Sequence, residues 1–132
     1  LLYLFNESPT ANDVVSLNLL FPSPSTNDGS AHLIANQIIQ PGWYVFDEHQ
    51  GTEKFWIVWS SKAVAELEAV KGAVNPQDKG TIRNINQASV VQEFLRKNSS
   101  PKLEVDKDRA KKQTHVKGKG DVLVSLIELE HH

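Results

Sequence analysis

The chain has 132 residues, 39% hydrophobic and 23% charged, with a net charge of −2. That is the size and balance of one globular domain; it excludes a disordered or collagen-like chain, and the charge singles out no partner, nucleic acid included. The sequence holds no cysteine, which excludes disulfides, thiol nucleophiles and thiolate metal sites and leaves the compartment open, either side of a bacterial membrane being suitable.

No apolar run approaches the roughly 18 residues of a membrane span, and no charged start followed by an apolar stretch marks a signal peptide. The first residues, Leu1-Leu2-Tyr3-Leu4-Phe5, are strand-like and lack an initiator Met, which reads as a fragment of a longer protein. Residues 1–128 are expected to form a single β-rich domain. Leu129-Glu130-His131-His132 matches the start of a purification tag, which leaves His32, His49 and His115 as the native histidines.

In chain order, LLYLF (1–5) and SLNLLF (16–21) are short apolar runs closed by turn-forming residues and predict two strands. PSPSTNDGS (22–30), with two prolines and an Asn-Asp-Gly step, predicts a loop. HLIANQIIQ (32–40) resumes an extended pattern until Pro41-Gly42 stops it. GWYVFD (42–47) and KFWIVWS (54–60) predict a hairpin around Gly51. In the second of these strands Phe55, Ile57 and Trp59 face one way and Trp56 and Val58 the other, so both faces need cover.

Two amphipathic helices supply it. The first is expected over 62–74, capped by Ser60 or Ser61, with Val64, Leu67, Val70 and Val74 on one stripe. The second is expected over about 87–97, with Val90, Val91, Phe94 and Leu95 inward. Strands return at KLEVD (102–106) and QTHVK (113–117), half-polar like edge strands, and at DVLVSLIEL (121–129), apolar like a central one.

Several steps across residues 1–60 carry a likeness. Leu20-Phe21-Pro22-Ser23 follows an aromatic N-terminal strand, a strand from Leu33 ends at Ile39, and Gly51-Thr52-Glu53 leads into Ile57-Val58-Trp59-Ser60. In this order of motifs the chain resembles the bacterial domain-of-unknown-function family 4384. The resemblance covers less than half of the chain and implies a context: an accessory module attached to a kinase, a caspase-like peptidase or a cell-envelope protein. It implies no catalytic residues.

The chemical candidates each meet a plainer reading. Asp47, Glu48, His49 and Glu53 crowd together, but neither HxxxH nor HExxH spacing occurs, and polar residues at a hairpin tip are what solvent selects. Glu53 beside Lys54 reads as a surface pair. Ser60-Ser61 stands between strand and helix without the glycines of a nucleophile elbow. Glu66 and Glu68 lie two apart on a helix, where side chains do not face each other. Asp106-Lys107-Asp108 begins like a calcium loop, but Lys111 occupies the position that needs Gly and Lys117 the one that needs Glu.

Two surfaces remain. Lys107, Arg109, Lys111, Lys112, Lys117 and Lys119, against the single acid Asp108, read as a solvated hairpin with an anionic partner as the functional alternative. Trp43, Tyr44, Trp56 and Trp59 read as core, with a sugar- or peptide-binding platform as the alternative.

The expected fold is mainly β, an antiparallel β-sandwich-like domain with two inserted α-helices, α+β being the fallback. The expected role is non-catalytic: an accessory interaction or sensing module of a larger bacterial signalling or cell-envelope protein, contacting a protein partner or a neighbouring domain. A small-ligand or glycan-binding module using exposed aromatics is the alternative. No catalytic, cofactor or metal residues are assigned; the candidate interaction surface is the basic hairpin with Trp43 and Trp56.

Overall fold

The computed structural model describes residues 1–9, 15–23, 27–39, 50–71, 80–99, 104–108, 110–111, 113–117 and 120–131. The architecture is a four-stranded antiparallel sheet with two helices inserted before the last strands. The elements are β1 (Leu2–Pro9), β2 (Val15–Phe21), β3 (Gly51–Ser60), α1 (Ala65–Lys71), α2 (Ile85–Asn98), β4 (Glu104–Asp108), β5 (Gln113–Lys117) and β6 (Val122–His131). The large sheet runs β2-β1-β3-β6, and β4 and β5 pair with each other in a sheet of two strands.

Register sorts the sheet residues onto two faces. Tyr3 opposes Val58, which opposes Val124, and Phe5 lies between Leu19 and Trp56. These residues form one core with Leu67 and Val70 of α1 and Val91 and Leu95 of α2. The helices therefore cover the Trp56 and Val58 face, as a strand apolar on both sides requires. On the other face lie Leu2, Leu4, Phe55, Ile57, Trp59 and Leu123, all half-buried. A bulge between Leu4 and Phe5 inserts Leu20 into the β1–β2 ladder, and Phe21 reaches the second face fully buried.

α2 begins where Asn84 caps it, its Oδ1 accepting from the Gln87 amide at 3.1 Å. Arg96 and Lys97 sit in the last turn, where cations offset the helix dipole. Val91 and Leu95, four apart, are the inward stripe, and Phe94 packs beside it, while Val90 is 45% exposed and lies off it.

Four further expectations change. HLIANQIIQ forms no strand among its described residues: the chain turns at Ala35-Asn36, with Asn36 at φ 65. β6, for all its apolar character, is the sheet's edge, its outer side bridged by Ser99 at Val124, and β1 and β3 are the central strands. Ser60 and Ser61 do not cap α1. Ser60 closes a local turn with Lys62, Ser61 reaches Asp121 Oδ1 at 3.3 Å, and the helix starts later, the Val64 carbonyl accepting its first amide bonds. Glu53 is fully buried. The strand expected over 42–47 lies outside the described residues.

Opposite β6, the β2 edge is closed by a strap. Leu19 N donates to Gly80 O and Ile82 N to Leu17 O, at 2.8 and 2.9 Å, so residues 80–82 act as a short extra strand.

Candidate functional site

The basic hairpin is only partly described. Lys107 and Lys111 are exposed, and the Lys111 amide is bound by Asp108 Oδ1 at 3.1 Å, which closes the turn between β4 and β5. Lys117 lies in β5. Arg109, Lys112, Lys119 and Trp43 lie outside the described residues, as do Asp47, Glu48 and His49. Trp56 is 5% exposed, packed in the core, and offers no platform to a ligand; its indole N–H has no hydrogen-bond partner among the described residues. That placement corrects its assignment to the interaction surface, because its position opposite Phe5 points it under the helices.

Sequence reasoning missed a buried polar cluster. Glu53 Oε2 accepts from Ser8 Oγ at 2.5 Å and from Asn6 Nδ2 at 2.9 Å. Asn6 Oδ1 accepts from Asn18 Nδ2 at 2.9 Å, and Asn18 Oδ1 accepts from Thr81 Oγ1 at 2.8 Å. The chain of bonds thus runs across β3, β1 and β2 to the strap. Each member supplies a partner for the next, which is the condition for burying such groups without a large penalty. The cluster is closed to solvent except at its Thr81 end, which is half-buried: Glu53 and Asn6 are fully buried, and Ser8 and Asn18 nearly so. Chemically it is a clamp that fixes strand register.

A second polar group ties α1 to β1. The buried Tyr3 hydroxyl donates to Glu68 Oε1 at 3.0 Å, and Lys71 Nζ stands 2.6 Å from Glu68 Oε2. Burial is the main cause that pushes the Tyr3 phenol up to about 12, with the Val64 backbone opposing and Glu68 reinforcing it. The hydrogen bond from Lys71 holds the Glu68 carboxyl below its ordinary value, burial opposing it, with Tyr3 and the charges of Lys71 and His32 adding to the lowering. A phenol so raised stays protonated at neutral pH and donates.

Two of the exposed large apolar residues share a turn, while Val15, Ile85, Val90, Ile127 and Leu129 are exposed elsewhere. Gln37 N donates to Ile34 O at 3.1 Å, closing a turn whose third residue, Asn36, takes the positive φ that Asn tolerates. Gln37 Oε1 in turn accepts from Ile34 N at 3.0 Å, and Gln37 Nε2 donates to Asn27 Oδ1 at 3.2 Å. Asn27 Nδ2 donates to both Ser30 O and His32 O at 2.8 Å. Buried Ala31 moors the loop to the sheet, its carbonyl accepting from Leu2 N at 2.8 Å. On this braced loop Ile34 is 77% and Ile38 86% exposed. No Asp, Glu, Lys or Arg occurs between Ala31 and Ile39.

Among the described residues no group of three or more His, Asp or Glu converges as a metal site, and no helix is long and apolar enough to cross a membrane. No protein-family model, curated protein or solved structure matches the chain.

Proposed function

We propose that the domain is a non-catalytic interaction module of a larger protein and that it docks a protein partner through the turn carrying Ile34 and Ile38. The observation that carries this reading is the exposure of two large apolar side chains on a loop that its own hydrogen bonds hold in place. Exposed isoleucine is costly to leave in water, and burying each one contributes about 1.5–3 kcal/mol. A braced loop also loses little conformational entropy on docking. Glu53 and Tyr3 are committed to holding strands and helix together, so their chemistry is spent on structure.

On the same reading, in which residues 1–60 resemble accessory modules of bacterial signalling and envelope proteins, the contact is a neighbouring domain or a separate protein. The test is a photo-crosslinking residue at position 34 or 38, with a control at exposed Glu66, in cells of the source organism. The expected result is a discrete partner band from the turn and none from the control. Turnover by the purified domain, abolished by one polar substitution that leaves it folded, would replace this reading with an enzyme.

A further inference from the structure

Ahead of the docking turn stands a run of three residues in the left-handed region: Asn27 at φ 56, Asp28 at φ 52 and Gly29 at φ 75. For Asn and Asp that conformation is tolerated at a cost, and glycine takes it freely. Asp28 is exposed. The residue after it has no side chain to shield its nitrogen, and a Cβ built there meets nothing within 4 Å.

We propose that Asp28-Gly29 is a latent site of spontaneous aspartate isomerisation, held in check by the fold of the loop around it. In the reaction the Gly29 amide nitrogen attacks Asp28 Cγ. The N–Cγ bond forms, the Cγ–O bond breaks, and the hydroxyl leaves as water with the amide proton. Water then adds to the five-membered imide. Opening at Cγ restores aspartate, whereas opening at the former main-chain carbonyl leaves isoaspartate, with the chain routed through Cβ and Cγ. The water released is returned, so mass is conserved and no other reactant is needed.

The folded loop opposes the first step twice. The Gly29 N–H donates to Ser23 O at 3.0 Å, which commits the nucleophile. Asp28 has ψ 32, and with a tetrahedral Cα this turns the Gly29 nitrogen roughly to the opposite side of the Cα–C bond from Cβ, away from Cγ. Reaction therefore waits for local opening of the loop. Once formed, isoaspartate adds a backbone atom between Asn27 and Gly29, which displaces the Ser30 N to Asn27 O bond of 2.9 Å and with it the Asn27 side chain that braces Gln37.

The experiment is incubation of the whole chain at neutral pH, native and in concentrated urea, with isoaspartate at position 28 read by peptide mapping over time. Conversion is expected in urea and at least about tenfold slower in the native chain, a ratio set by the opening equilibrium. Asn27→Ala, which removes the brace, should raise the native rate. Gly29→Ala should slow the reaction in urea, where loop strain is irrelevant and only crowding at the nitrogen counts. Equal native and urea rates, or an unchanged native rate in Asn27→Ala, would show that the loop does not hold the site in check. No isoaspartate at position 28 in urea would remove the site altogether.

Discussion

Glu53 stands two residues after a glycine at the start of a strand and precedes a lysine, a setting in which a carboxylate is ordinarily solvated. Its burial rests on Asn6 and Ser8 from β1, and their stability rests equally on it. Glu53→Ala would remove the acceptor of the two shortest bonds, leaving Asn6 Nδ2 to the Lys54 carbonyl at 3.3 Å and Ser8 Oγ to Asn6 Oδ1 at 3.2 Å, at a cost of about 1–3 kcal/mol. Glu53→Gln, which keeps an acceptor oxygen, should lose less. Urea denaturation of the two variants checks the order, and an Ala variant as stable as the parent would place the side chain in water. Tyr3 makes a different, pH-linked prediction. Its folded value of about 12 lies above the ordinary 10, so between these values the unfolded chain sheds a proton that the folded one keeps. The stability it contributes is fully present below pH 10 and is lost as pH rises through 12. Tyr3→Phe should flatten that alkaline arm of the stability curve and weaken the hold on α1 by about 1 kcal/mol at neutral pH.

Between elements, the strap on β2 has the narrowest tolerance. Gly80 has φ +75, and a Cβ there would stand 2.0 Å from the Leu19 carbonyl oxygen. Gly80→Ala therefore must detach the strap or strain it, and a loss of more than about 2 kcal/mol in thermal unfolding is expected. A smaller loss would mean the strap moves freely. α2 offers a paired comparison: Leu95→Ala should cost about 2–5 kcal/mol, and Val90→Ala no more than about 0.5. The sequence showed α2, β3 and β5 because apolar spacing and turn residues are local signals. β6 misled because its position in the sheet depends on which strands pair with it, and an edge strand lined by apolar neighbours on both faces reads like a central one. HLIANQIIQ misled because its clustered apolar residues imitate a strand, whereas Asn27, ten residues before Gln37, decides its turn. The polar clamp was illegible for the same reason: Asn6, Asn18 and Glu53 meet only after three strands are in register.

For the whole molecule these readings divide the work. One face of the sheet is packed beneath helices, the polar clamp fixes the register of three strands, and the moored loop carries apolar surface that the fold leaves exposed. If that surface is the docking site, it contributes to association and almost nothing to stability. The most direct test is the double variant Ile34→Ser/Ile38→Ser, measured both for thermal unfolding and for complex formation with the partner captured at the turn. The account predicts unfolding changed by no more than about 0.5 kcal/mol and complex formation lost. A large drop in stability would make the two isoleucines part of the core, and a complex that forms unchanged would place the docking surface elsewhere.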